Sequence, residues 1–250
     1  MNILVVNDDG IQAKGLAELV QGLSEVAEVY VCAPDGQRSA KSHSITLGQT
    51  IIIEKTDFPG AKAAYTTSGS PADCTKAGLQ FLEEAGIEID MVYSGINMGS
   101  NLGRDTLYSG TVGAAAEAAL SGYHAVAVSV DDHDAVYFDT AVKLAKDVIG
   151  MTFGKLDKSV VLSINVPNLP KELIRGIKYA PLATTRYYDD KFHQVEGGFA
   201  LSGEPSAQIG GRTETDLSAV EEDYAVITPL QFDFTDYGTL DKMKEWSLNI

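Results

Sequence analysis

The sequence is short of positive charge, of cysteine and of long apolar runs, and each shortage excludes a class of function. Only 19 of its 250 residues are Lys or Arg against 35 Asp or Glu, a formal net charge of −16. A surface that acidic repels phosphodiester backbones and anionic lipid, so neither nucleic acid nor a membrane is expected as a partner. The two cysteines, Cys32 and Cys74, are too few for a disulfide framework or a structural zinc cluster. No apolar run reaches the roughly 18 residues of a membrane span, and Met1-Asn2-Ile3-Leu4 lacks the basic segment that opens a signal peptide. The expectation is a cytoplasmic globular protein, and at 44% hydrophobic residues it can fill a sizeable core. Catalysis or small-ligand binding remains.

What is present reads first as alternating strands and helices. Ile3-Leu4-Val5-Val6 is a continuous apolar run of the kind buried on both faces of a parallel sheet. Leu16, Leu19, Val20 and Leu23 follow with helical spacing, and Glu28 to Ala33 is a second strand closed by Pro34. Ser70-Pro71-Ala72-Asp73 has the form of a capped helix start. Ile89 to Tyr93 is expected as a strand ending at Ser94-Gly95, with a loop over 95–105. A helix whose apolar side is Val112, Ala115, Ala116, Ala119 and Leu120 comes next. A strand over Ala125 to Val130, a helix over Val136 to Ile149 and a strand over Val160 to Val166 complete the pattern. Beyond about residue 170, short Tyr-, Thr- and Gly-rich pieces predict strands over Tyr179 to Tyr188, Gly198 to Ser202 and Tyr224 to Leu230. The fold class is therefore α/β: a doubly wound, Rossmann-like, mostly parallel sheet in one domain over 1–250. Residues 1–170 form its core, and 171–250 form a β-arm and tail.

Four polar segments fall at predicted strand ends or helix starts, where open α/β sheets bind ligands. Asn7-Asp8-Asp9-Gly10 ends the first strand, and its two neighbouring carboxylates repel unless a cation lies between them. Asp35 to Ser44 follows the second strand and carries Ser39, Arg38, Lys41 and His43. The loop from Ser94 to Asp105 spaces its glycines by four, so it is not the dinucleotide fingerprint, and no Gly-Lys-Ser/Thr of a P-loop occurs. It supplies Asn97 and Asn101 as candidate phosphate ligands. Ser109-Gly110-Thr111 opens a helix, where free amides, hydroxyls and the helix dipole suit a phosphate. Asp8, Asp9, Ser39 and Asn97 are all oxygen donors at one sheet edge, a set that favours Mg²⁺ or Mn²⁺ over zinc. An aspartyl-phosphate route is disfavoured, because Asn7 stands where that route needs a nucleophilic aspartate.

These segments are similar to those of the survival protein SurE family of metal-dependent nucleotidases. The resemblance is carried by ILVVNDDG (3–10), APDGQRSAKSHSITL (33–47), GSPADC (69–74), SGINMGSNLG (94–103), YSGTVGAA (108–115), NVPN (165–168) and Thr228-Pro229-Leu230. It implies a Rossmann-like core with a β-arm and a C-terminal segment exchanged in a homodimer or homotetramer. It also implies hydrolysis of nucleoside 5′- and 3′-monophosphates with a divalent cation held by Asp8, Asp9, Ser39 and Asn97. Asp8 and Asp9 are the candidate catalytic residues, Asp9 as the group that deprotonates water. A non-catalytic nucleotide-binding protein, or a phosphatase of polyphosphate or another phosphomonoester, stays open as an alternative.

Overall fold

Alternate residues of the first strand enter two different cores. In the computed structural model, which describes residues 1–185, 188–205 and 214–247, β1 (Asn2–Val6) sends Ile3 and Val5 into one apolar cluster and Leu4 and Val6 into the other. The period-2 geometry of a strand requires this split, and the unbroken apolar run from Ile3 to Val6 follows from it. On the first face lie α1 (Lys14–Ser24), whose Leu16, Leu19, Val20 and Leu23 are fully buried, and α4 (Asp139–Asp147). On the second lie α2 (Pro71–Glu84) and α3 (Gly110–Leu120).

The remaining strands are β2 (Glu28–Pro34), β3 (Ile53–Thr56), β4 (Ala63–Thr67), β5 (Met91–Met98), β6 (His124–Asp131), β7 (Val160–Pro167), β8 (Ile177–Tyr179), β9 (Tyr188–Val195), β10 (Gly198–Pro205) and β11 (Ala225–Gln231). Nine form one sheet in the order β3-β4-β2-β1-β5-β6-β7-β11-β8. The pairs from β4 through β7 are all parallel, while β3 and β11 join antiparallel to β4 and β7. From β1 the chain winds outward to β2 and β4 on one side and to β5, β6 and β7 on the other. The direction of winding therefore reverses between β1 and β5, and a crevice opens there at the strands' carboxyl ends.

Several boundaries differ from the sequence expectation for local reasons. β5 does not stop at Ser94-Gly95: the pairing with β6 is irregular between Ser94 and Asn97, then resumes, and Ile96 is fully buried. Asn97 thus sits in a strand. The expected helix over 136–149 begins only at Asp139 and is followed by a single turn, α5 (Ile149–Thr152); Val136 is exposed. Leu120, at the terminus of α3, is exposed although Gly110 to Ala119 are buried all round. Small side chains let that helix lie close to α2 and the sheet at once.

After residue 170 two strands, β8 and β11, join the main sheet beside β7. The strand expected over 179–188 is instead β8 ending at Tyr179, and the arm is the antiparallel hairpin β9–β10, closed by Glu196-Gly197. Positions 186 and 187 of that expectation lie outside the described residues. One helix went unanticipated: α6 (Asp216–Glu221) is six residues long, too short to show a period, and is started by a Thr215 capping box. A last helix, α7 (Tyr237–Met243), lies in the tail. Among the described residues no helix is long and apolar enough to cross a membrane.

Candidate active site

The crevice between β1 and β5 is floored by Asn7-Asp8-Asp9-Gly10. Asn7 is fully buried and its Nδ2 donates to the Gly10 carbonyl (2.9 Å), which closes the chain into a turn. Within that turn the two carboxylates address opposite flanks. Asp8 is buried and faces the start of α3, where the Thr111 hydroxyl donates to its Oδ1 (2.5 Å). Asp9 is half-buried and faces the end of β5, accepting from the Met98 amide (3.2 Å). Gly110 makes the first arrangement possible: a Cβ there would lie 2.8 Å from Asp8 Oδ2 and 3.1 Å from Pro71 Cγ.

Burial pushes the Asp8 carboxyl up to about 6; the Thr111 hydroxyl opposes the rise and the Asp9 charge adds to it. Asp9 is also raised, again by burial, with the Met98 amide and the His133 charge acting the other way. Among the described residues no Lys or Arg is ion-paired to either carboxylate. Nor does any group of three or more His, Cys, Asp or Glu gather in a metal-binding arrangement there. A dicarboxylate supplemented only by neutral oxygens is a poor zinc site but fits a hard divalent cation, which would offset the repulsion that raises Asp8.

The other expected residues lie around this pair at different degrees of engagement. The Arg38 amide donates to the Asp8 carbonyl (2.7 Å), so Ser39 is brought next to the β1 turn; its Oγ is exposed and accepts from Gln37 Nε2 (3.0 Å). Arg38's guanidinium is held by Asp35 (2.6 Å). Asn97 is half-buried at the end of β5, where its Nδ2 donates to the Gly99 carbonyl (2.6 Å). Asn101 is buried in a polar network: its amide donates to Asn165 Oδ1 (2.7 Å) and its Nδ2 to Ser129 Oγ (2.8 Å). That engagement makes it an anchor of the 99–108 loop. Ser109 caps α3, its Oγ accepting from the Val112 amide (3.0 Å) while its own proton remains to be donated. The Thr111 hydroxyl, expected at a phosphate, is committed to Asp8.

Three buried or seated polar groups were not singled out by the sequence reading. Glu117 is buried on α3 and receives both His43 Nε2 (2.7 Å) and Lys76 Nζ (2.6 Å), so it pins the segment carrying Ser39 across α3. Its signal was present: it is the one charge in a helix of Gly, Ala, Val, Thr and Leu. Asp216 is fully buried and accepts from the amides of Gly103 (2.7 Å) and Ala183 (2.7 Å), tying the glycine-rich loop to the chain before the arm. His133 follows β6 at the crevice rim, close enough for its charge to act on Asp9.

With this geometry in view, comparison with known proteins decides the family. The model of the survival protein SurE family matches residues 3–189. The chain belongs to the SurE family. It is 41% identical to the 5′-nucleotidase SurE of Pelotomaculum thermopropionicum, over 98% of this chain and 95% of that one. The 5′-nucleotidase SurE of Clostridium beijerinckii is 40% identical, over 96% of each chain. Among solved structures, the SurE protein from Aquifex aeolicus superposes with a TM-score of 0.82 at 31% identity, covering 98% of both chains. The family expectation of a mostly parallel, doubly wound sheet is met by this SurE chain in the strand order itself.

The buried state of Asp8 predicts a pH dependence. In the folded protein its carboxyl holds a proton up to about pH 6, against an ordinary value of 3.8 in the unfolded chain. The group therefore lowers stability as pH rises from about 4 to 6, by on the order of 3 kcal/mol in all, with no further change above. Urea unfolding in cation-free buffer should show Asp8→Asn gaining on the wild type across that window and holding a constant lead beyond it. A difference between the two that is flat from pH 4 to 7 would contradict the burial of a titrating Asp8.

Proposed function

We propose that this chain is a divalent-cation-dependent 5′-nucleotidase that hydrolyses nucleoside 5′- and 3′-monophosphates to nucleoside and phosphate. The observation that carries the reading is the pairing of the Asp8-Asp9 dicarboxylate with the amino end of an eleven-residue helix across one crevice. The names of the relatives, which are nucleotidases over nearly the whole chain, support it.

Asp8 and Asp9, with Ser39 and Asn97, would hold Mg²⁺ or Mn²⁺, which supplies Lewis-acid polarisation of the phosphoryl group and acidification of water. Thr111 fixes the Asp8 carboxylate by its hydroxyl, and Gly110 admits that carboxylate to the helix start. The Ser109 hydroxyl and the Gly110 amide receive the non-bridging oxygens, where the helix dipole favours the charge that develops on them. Asn101 contributes by anchoring the loop that precedes α3, through Ser129 and Asn165. Asp9, raised by burial and exposed on one side, takes the proton of the attacking water.

The assembly follows from apolar surface left open on one chain. Phe234 is 81% exposed, and Tyr237, Leu240, Met243 and Trp246 of the same tail are exposed as well. On the arm, Phe192 pairs with Leu201, and Phe199 shares their face, all three open to solvent. Exposed apolar surface of this extent is covered when tail and arm are exchanged between copies in a homodimer or homotetramer. The protein acts in the cytoplasm, on soluble nucleotides.

Phosphate release from a panel of nucleoside monophosphates should require added Mg²⁺ or Mn²⁺ and stop with EDTA. Ser109→Ala should slow turnover on the order of 10–1000-fold through loss of an oxyanion donor. Rates within twofold of wild type would leave Ser109 as a helix cap alone. On light scattering the chain should run at two or four times its 26.7 kDa, and truncation after Leu230 should dissociate or aggregate it. A monodisperse full-length monomer at micromolar concentration would rule out the exchanged assembly.

A further inference from the structure

The flank of the crevice opposite α3 carries a histidine. His133 stands just beyond β6, and its ring is seated on the chain directly after β5: a Cβ on Gly99 would lie 2.8 Å from its Cε1 and 2.9 Å from its Nδ1. Nε2, at 3.7 Å, is the nitrogen turned away from that backbone. The segment bearing it is braced. Asp132 accepts from the Asp134 amide (2.9 Å) and from Asn168 Nδ2 (2.8 Å). Asn168 Oδ1 accepts in turn from the amides of Val136 and Tyr137 (3.1 Å each). This use explains the last residue of the NVPN segment. The charged groups acting with the ring are Asp9 and Asp132. His133 itself is exposed, so it faces whatever enters.

Resting on the nucleotidase reading, we propose that His133 is a further catalytic residue, one that contacts the ester oxygen through which the nucleoside leaves. The non-bridging oxygens belong at the start of α3, on the Asp8 flank, whereas His133 stands on the Asp9 flank at the open rim, the direction in which a nucleoside must extend. A hydrogen bond from its imidazole N–H stabilises charge on that oxygen as the P–O bond breaks and the electron pair stays with oxygen. The proton the oxygen finally carries is the one the attacking water gives up, so the imidazole is unchanged by a turnover.

A donor to the leaving oxygen matters for an alkoxide and hardly at all for a leaving group stable as an anion. The cation-loaded full-length enzyme should be compared on AMP and on 4-nitrophenyl phosphate. His133→Ala should reduce kcat on AMP on the order of 10–1000-fold with KM changed less, and on 4-nitrophenyl phosphate by less than about threefold. His133→Gln, which keeps an N–H donor, should recover part of the loss on AMP. Equal losses on both substrates would overturn the proposal by placing His133 with the cation or the fold, and so would an unimpaired His133→Ala. Should the wild type cleave another alkyl monoester but not AMP, the nucleotidase reading fails. The same comparison on that ester then still decides the role of His133.

Discussion

The contact between Asp8 and the first turn of α3 is the constraint on which the rest of the site depends. A carboxylate is desolvated there, against a helix start that can reach it only because residue 110 has no side chain. The arrangement is expensive for the isolated protein, since burial and the neighbouring Asp9 both disfavour the charge. The Thr111 hydroxyl offsets only part of that penalty. Strain of this electrostatic kind is relieved by whatever brings positive charge into the crevice. That burial is the physical basis of the proposal that a divalent cation is held between Asp8 and Asp9.

The overall charge makes the same point at larger scale. A chain with a net charge of −16 repels a phosphate monoester, and the nearby basic side chains give little relief. Arg38 is taken by Asp35, and Lys76 and His43 are both turned to Glu117. Those pairs position loops; they do not build a positive pocket. On the proposed reading, the amino end of α3 and a bound cation supply positive charge that these pairs do not.

How far the sequence foretold this depends on the range of the interaction concerned. Short-range signals were legible: the apolar run of β1, the four leucine and valine positions of α1, and the Ser70-capped start of α2 all appear as expected. The expectation that Asp8, Asp9, Ser39 and Asn97 share one sheet edge rests on the doubly wound topology, which sends the carboxyl ends of the parallel strands to one side. Contacts between distant segments were not. Nothing local tells that Asp216 would bind the amide of Gly103, that Glu117 would meet both His43 and Lys76, or that the His133 ring would rest on Gly99. The roles of the two hydroxyls at the start of α3 also depend on tertiary distance: Thr111 reaches Asp8, and Ser109 stays on its own helix. β5 was misjudged because Ser94-Gly95 has the composition of a turn, whereas the burial of Ile96 keeps the strand in the sheet.

The central claim is that the adjacent carboxylates hold a divalent cation, and it is tested most directly by binding rather than turnover. Titration of the metal-free protein with Mn²⁺ at pH 7.5, followed by electron paramagnetic resonance, should show one ion taken up per chain. Asp8→Asn, with an unchanged circular dichroism spectrum, should weaken that binding by at least roughly tenfold. Equal affinity and stoichiometry in the folded variant would contradict the account.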